Sequence, residues 1–151
     1  MLFKDTEVNV QIDGSKDKGI EITTMGARHL GAATGSLDFK RIYVKNKVTN
    51  WIDAVKQIAM IAKTEPHAAF VAYTHPLQCQ WTFISRVMDG IADLFEPLEK
   101  VITSVFHKSL LDRDVDQIER DLIALPARLG GLGIFNPVTM SSVPHEFYYY
   151  K

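Results

Sequence analysis

A chain of 151 residues has the length of one domain and is too short for two ordinary ones. With 46% hydrophobic and 23% charged residues, it falls outside the disordered and fibrous classes. Its 17 lysines and arginines against 18 acids leave a net charge of −1, so any affinity for nucleic acid has to come from a local patch.

Residues 7–12 (EVNVQI) alternate apolar and polar side chains, Asp13-Gly14 supplies a turn, and residues 19–23 (GIEIT) alternate again. This pattern predicts a short hairpin with a long loop. His29 to Thr34 is a third candidate strand, and Gly26, Gly31 and Gly35 mark tight turns or a close backbone approach. Ser36 and Asp38 then offer N-cap oxygens. Val44, Val48, Trp51, Val55, Ile58 and Ala62 follow in alternating steps of four and three, the signature of an amphipathic helix of about 24 residues.

Thr64 as cap and Pro66 in a first turn predict a second helix through Ala68, Ala69, Val71 and Ala72. It resumes through Trp81, Phe83, Ile84 and Val87, with Pro76 expected to kink or divide it. Asp89-Gly90 breaks the chain, and a third helix is expected from Ile91 to His107, its first half disturbed by Pro97. Asp116 and Glu119 have capping-box spacing and predict a short helix through Leu122 and Ile123. The stretch LPARLGGLGIFNP reads as an ordered loop or short strand packed on the helices. Tyr148-Tyr149-Tyr150 is an apolar triplet expected to pack against something, as at a boundary inside a larger protein. The expected fold is mainly α with a small N-terminal antiparallel β element.

The near-zero net charge conceals segregation. Phe39 to Lys63 carries Lys40, Arg41, Lys45, Lys47, Lys56 and Lys63 against Asp53 alone, a net of +5, whereas Met88 to Asp121 has a net of −5. A basic helix of this kind is either an ordinary solvated face or one turned toward phosphates.

Catalytic patterns are weak. Asp112, Asp114 and Asp116 have the spacing that opens a calcium loop, but Gln117 stands where that loop requires glycine and no glutamate closes it. They read better as helix-capping acids. Of His29, His67, His75, His107 and His145, only His67 and His75 form a helical i, i+8 pair, which has no intervening acid ligand and reads better as exposed or hydrogen-bonded side chains, and no G-x-S-x-G occurs. Gly130, Gly131 and Gly133 lack the strand and the Lys-Ser/Thr of a phosphate loop and read as structural. Cys79, the single cysteine, is expected as a small core residue; it allows no internal disulfide and leans toward a reducing compartment. No apolar run reaches the roughly 18 residues of a membrane span and no signal-peptide core is present. The chain therefore reads as soluble and intracellular, with no membrane partner and no active site of its own.

Three stretches together carry a resemblance: GARHLGAATGS at 26–36, PHAAFVAYTH at 66–75 and ERDLIALPARLGGLGIFNP at 119–137. They resemble the region downstream of the catalytic palm motif in reverse transcriptases of eukaryotic retrotransposons lacking long terminal repeats, over roughly residues 1–147. The resemblance implies that 1–35 is a palm-edge and primer-grip element and that 36–151 is a helical, thumb-like region, the two forming one folding unit. Gly26, Arg28, His29, Leu30 and Gly31 would form the grip. Glycines there would admit backbone close to sugar and phosphate, and Arg28 can pair with a phosphate oxygen.

Lys40, Arg41, Lys45 and Lys47 would track the primer–template backbone on the first thumb helix. Trp51, on the apolar register, reads as core rather than as a stacking platform. The implied partners are an RNA–DNA or DNA duplex and the upstream palm and fingers of a parent polymerase. Magnesium would belong to that parent, because this chain has no Asp-Asp pair and needs no cofactor of its own. Pro76 stands where relatives tend to have glycine, and residues 108–113 (KSLLDR) replace a Thr-Gly turn. The rival reading is a helical protein–protein interaction module. A hydrolase would need histidines clustered with an acid and a serine, which no spacing favours.

Overall fold

Short polar caps, two prolines and a row of aromatics account for the architecture of residues 25–142, the part that the computed structural model describes. The candidate strands at 7–12 and 19–23 and the tyrosine triplet lie outside these residues. Two short strands, β1 (Gly26–His29) and β2 (Ala32–Gly35), pair antiparallel with Gly26 opposite Gly35 and His29 opposite Ala32. The segment 29–34 is thus a hairpin rather than a single strand, because Leu30 and Gly31 both take positive φ (49° and 86°) and reverse the chain in two residues. At the open end Gly26 and Gly35 approach so closely that a side chain on Gly35 would meet the backbone of Gly26, and the Ser36 N–H bonds the Met25 carbonyl at 2.9 Å.

Ser36 then caps α1 (Leu37–Ala62), its hydroxyl accepting from the Phe39 N–H at 3.3 Å. The buried stripe is Val44, Val48, Trp51, Val55, Ala59 and Ala62, close to the predicted face, with Ile58 at its margin. Thr64 does not cap the next helix. Its hydroxyl donates back to the Ile61 carbonyl, and Glu65 holds the N-cap position without a side-chain bond.

α2 (Pro66–Ala72) passes through a π-helical stretch, Tyr73–Leu77, into α3 (Gln78–Val87). Pro76 therefore neither divides nor ends the helix. Proline brings no N–H and crowds the carbonyl four residues back, and a turn widened by one residue relieves that conflict locally. The Gln78 N–H accordingly reaches the Tyr73 carbonyl, five residues back.

After Gly90, a 3-10 turn at Ala92–Phe95 leads into α4 (Glu96–Val101), a second π-helical stretch at Ile102–His107, and α5 (Lys108–Leu111). Pro97 lies in the first turn of α4, where its missing N–H is harmless, so it does not disturb the helix. Asp112 (φ 54°) ends the run in the left-handed conformation. Asp116 and Glu119 form the predicted capping box of α6 (Gln117–Ala124). A 3-10 turn at Ala127–Leu129, an extended loop without strand structure and α7 (Pro137–Ser142) complete the described chain.

α1 and the α2–α3 run are antiparallel, while α4–α5 runs parallel to α1. Arg41 bonds Asp93 near both starts, and Lys63 and Lys108 line one cleft near both ends. The seam between the three runs is aromatic. Trp51 stacks on Phe95 at 6.1 Å and meets Trp81 edge-on at 5.8 Å; Tyr73 meets Trp81 at 5.6 Å and stacks on Phe106 at 4.3 Å. Each such pair adds about 0.5–1.5 kcal/mol beyond its buried area. Cys79, by contrast, is exposed and not a core residue, since it turns away from the face that carries Gln78 and Trp81.

The glycine-rich loop is clasped by buried polar groups. Arg120, 2% exposed, forms a two-pronged pair with Glu99 (2.6 and 2.9 Å) and donates to the Ile134 carbonyl at 2.8 Å. Gln78 donates to the Gly133 carbonyl at 2.8 Å and accepts from the Phe135 N–H at 3.0 Å. Ile134, between these contacts, is fully buried.

A methyl on Gly131 would be driven into the Leu125 carbonyl, whereas one on Gly133 meets open space and only a positive φ of 67°. In urea unfolding we expect Gly131→Ala to lose about 3 kcal/mol and Gly133→Ala about 1 kcal/mol, the larger loss being fixed by backbone that cannot yield.

The Tyr73 hydroxyl, the Trp81 indole N–H and both ring nitrogens of His107 are buried without a hydrogen-bond partner among the described residues. Burial, reinforced by the Arg120 charge, pushes the His107 imidazole down to about 4. The unfolded chain binds a proton near pH 6.5 that the folded chain refuses, so stability falls as pH drops from 6.5 and levels off below 4. The expected loss across that window is about 3 kcal/mol, and His107→Leu should remove it from the pH profile of the urea midpoint.

Candidate nucleic-acid interface

The hairpin owes its position to two ring contacts from α1. The Phe39 ring lies against Gly26, filling the space that a Cβ would occupy, and the Tyr43 hydroxyl donates to the Gly31 carbonyl at 2.6 Å. Ala33 of β2 is buried against the core, which leaves β1 outermost, with Arg28, His29 and Leu30 exposed. Leu30, at the tip, is 83% exposed. A turn with positive φ at both central residues normally takes Asn, Asp or Gly first, so leucine is held there at a conformational cost.

Tyr43 belongs to a stripe at positions i, i+3 and i+7, with Lys40 before it and Lys47 after it. The Lys47 ammonium lies over the Tyr43 ring, 5.9 Å from its centroid. The structure thus sets the hairpin that carries Arg28, His29, Leu30 and Gly31, with Gly26 at its base, beside the α1 face that carries Lys40 and Lys47, while Arg28 and His29, as strand neighbours, belong to opposite faces of the hairpin.

The other two basic positions lie elsewhere. Arg41 is on the opposite flank of the buried stripe, where it donates to the Gly90 carbonyl and to Asp93, both at 3.1 Å. That hydrogen bond and the paired charge raise the guanidinium above its ordinary value and hold the Asp93 carboxylate below its own. Its role in this structure is to tie the start of α1 to the turn before α4. Lys45, one helical turn further on, projects from the same flank and makes no ion pair among the described residues. Trp51 is 3% exposed, its indole N–H donating to Gln80 at 3.0 Å, and is core.

Tyr43 is the residue that sequence reasoning missed. The available signal was its place between two lysines on one face, three residues after Lys40 and four before Lys47.

Asp114 and Asp116 of the 112–116 run are engaged within the fold. Asp114 pairs with Lys108 at 2.8 Å, the Asp116 carboxylate caps α6, and among the described residues no group of three His, Cys, Asp or Glu converges. No described helix is long and apolar enough to cross a membrane. Compared with known protein families, curated proteins and solved structures, the chain has no match.

If Leu30 is strained as described, Leu30→Asn should raise the urea midpoint by the equivalent of about 1 kcal/mol. An unchanged or lower midpoint would mean that the leucine side chain contributes packing that its exposure does not reveal.

Proposed function

We propose that this chain positions a nucleic-acid duplex, as the primer-grip hairpin and first thumb helix of a retroelement RNA-directed DNA polymerase would, with the catalytic aspartates supplied from outside it. The observation that carries the reading is the Tyr43–Gly31 hydrogen bond. It fixes a tight, exposed hairpin tip beside a lysine-bearing helix face. Backbone at the tip can approach a strand closely, Arg28 can fork onto a phosphate, and Lys40 and Lys47 supply point charges along the same strand. Such contacts orient a duplex without reading its sequence.

A second reading, a helical protein–protein interaction module, draws on different features. Arg41 is already occupied by Asp93, Lys45 is on the other flank, and Ile118, Leu122 and Leu129 are exposed on and just after α6. That reading predicts binding insensitive to the hairpin charges.

Fluorescence anisotropy with labelled RNA–DNA and DNA duplexes separates the two. We expect weak binding that falls steeply with salt, and in Arg28→Gln/Lys40→Gln/Lys47→Gln a loss of about tenfold or more at 50 mM salt. The slope of log affinity against log salt should shrink by about 0.9 for each phosphate contact removed. Arg41→Gln should leave duplex affinity unchanged. No binding at low salt, or full affinity in the triple variant, would defeat the proposal.

A further inference from the structure

The flank of α1 away from the hairpin carries a second set of cations. Lys45, Lys56 and Lys63 follow one another at intervals of eleven and seven residues, which at 3.6 residues per turn places them within about 20° of one line. That line runs about 27 Å along the helix, on the edge facing α4 and α5. All three side chains are exposed, and none forms an ion pair among the described residues.

The row ends in a cleft of about 710 Å³ between the end of α1, the start of α2 and the π-helical stretch before α5. Lys63 and Lys108 both line it, with the Ser104 and Ser109 hydroxyls and the Asp112 carboxylate. Lys108 is itself exposed and bonded to Asp114 at 2.8 Å, an arrangement from which the ammonium can turn at little cost.

We propose that Lys45, Lys56, Lys63 and Lys108 form a second phosphate-binding track, which takes the backbone of a nucleic-acid segment other than the one at the hairpin. The two sets lie on opposite sides of the buried stripe of α1, so a single straight duplex cannot lie along both. Lys45, Lys56 and Lys63, unpaired among the described residues, set point charges along a straight line that a polyanionic sugar–phosphate backbone can follow. Ala62, Pro66, Val105 and Leu110 line only the cleft at one end of the row, where an acidic peptide would find apolar anchors, whereas the charges extend about 27 Å along α1, a length suited to a polyanionic strand. This inference shares the ligand class of the preceding reading but stands on different residues.

The test is the stoichiometry with a 10-base-pair DNA duplex titrated into the full chain at 30 mM salt. We expect two duplexes per chain. Lys45→Gln/Lys56→Gln/Lys63→Gln/Lys108→Gln should bind one, as should the hairpin variant Arg28→Gln/Lys40→Gln/Lys47→Gln. Circular dichroism melting checks that both variants fold; if the quadruple variant melts early, Lys56→Gln/Lys63→Gln replaces it and should weaken the second binding step by about tenfold.

One duplex on the parent chain, unaffected by the lysine substitutions, overturns the track and leaves the hairpin reading in place. Loss of binding in the track variant alone, with the hairpin variant unchanged, upholds the track and overturns the hairpin reading. A poly-glutamate peptide that binds the track as tightly as the duplex does, with the same salt dependence, overturns the nucleic-acid assignment in favour of an acidic protein partner.

Discussion

The ring-to-ring chain Phe95–Trp51–Trp81–Tyr73–Phe106 is the contact on which the three helical runs depend. Each run contributes to it: Trp51 from α1, Tyr73 and Trp81 from the α2–α3 run, Phe95 and Phe106 from the run that contains α4. Flat rings meeting edge-on or stacked fix both the separation and the rotation of the helices that carry them, which interchangeable aliphatic side chains do less well. Both π-helical stretches belong to this seam, since Tyr73 opens one and Phe106 lies in the other. Widening the helices at these points keeps the two rings in register although Pro76 disrupts the regular ladder.

The basic flanks of α1 follow from the same seam. Once Trp51 and its neighbours on the 3.6-residue period face inward, Lys40 and Lys47 must emerge on the side of α3 and the hairpin, and Lys45, Lys56 and Lys63 on the side of α4 and α5. The apolar stripe therefore divides one stretch of positive charge into two surfaces. A net +5 counted along the sequence is, in space, two smaller fields separated by the core.

Much of the fold could be read from the residues because it is local. The steps of four and three from Val44 to Ala62 specify α1, and Asp116 with Glu119 specifies the start of α6, since a helical period and a capping box need no distant partner. The hairpin at 26–35 was obscured by its own small residues: alanine and glycine give no alternation, and Leu30 is not a usual turn residue. Pro76 reads as a break because a widened turn leaves no mark in composition. Nothing local marks Arg120 for burial, and only the fold brings Glu99 and the Ile134 carbonyl around it. The candidate interface divides in the same way. Gly31 was legible as a tight turn or close backbone approach, and Arg28 and Leu30 entered only through the resemblance, whereas the partner of Arg41 lies 52 residues away and the role of Tyr43 depends on a hairpin packed against it.

The clasp formed by Gln78 spans 55 to 57 residues to Gly133 and Phe135. At about 5–20 residues per second, a ribosome needs roughly 3–11 s to make the stretch between these partners. Throughout that interval the side of α3 that Ile134 will cover is open, with the Gln78 amide waiting among apolar neighbours. The order of manufacture therefore leaves a half-built helical bundle with an uncapped face, the kind of surface that molecular chaperones hold until the last segment arrives.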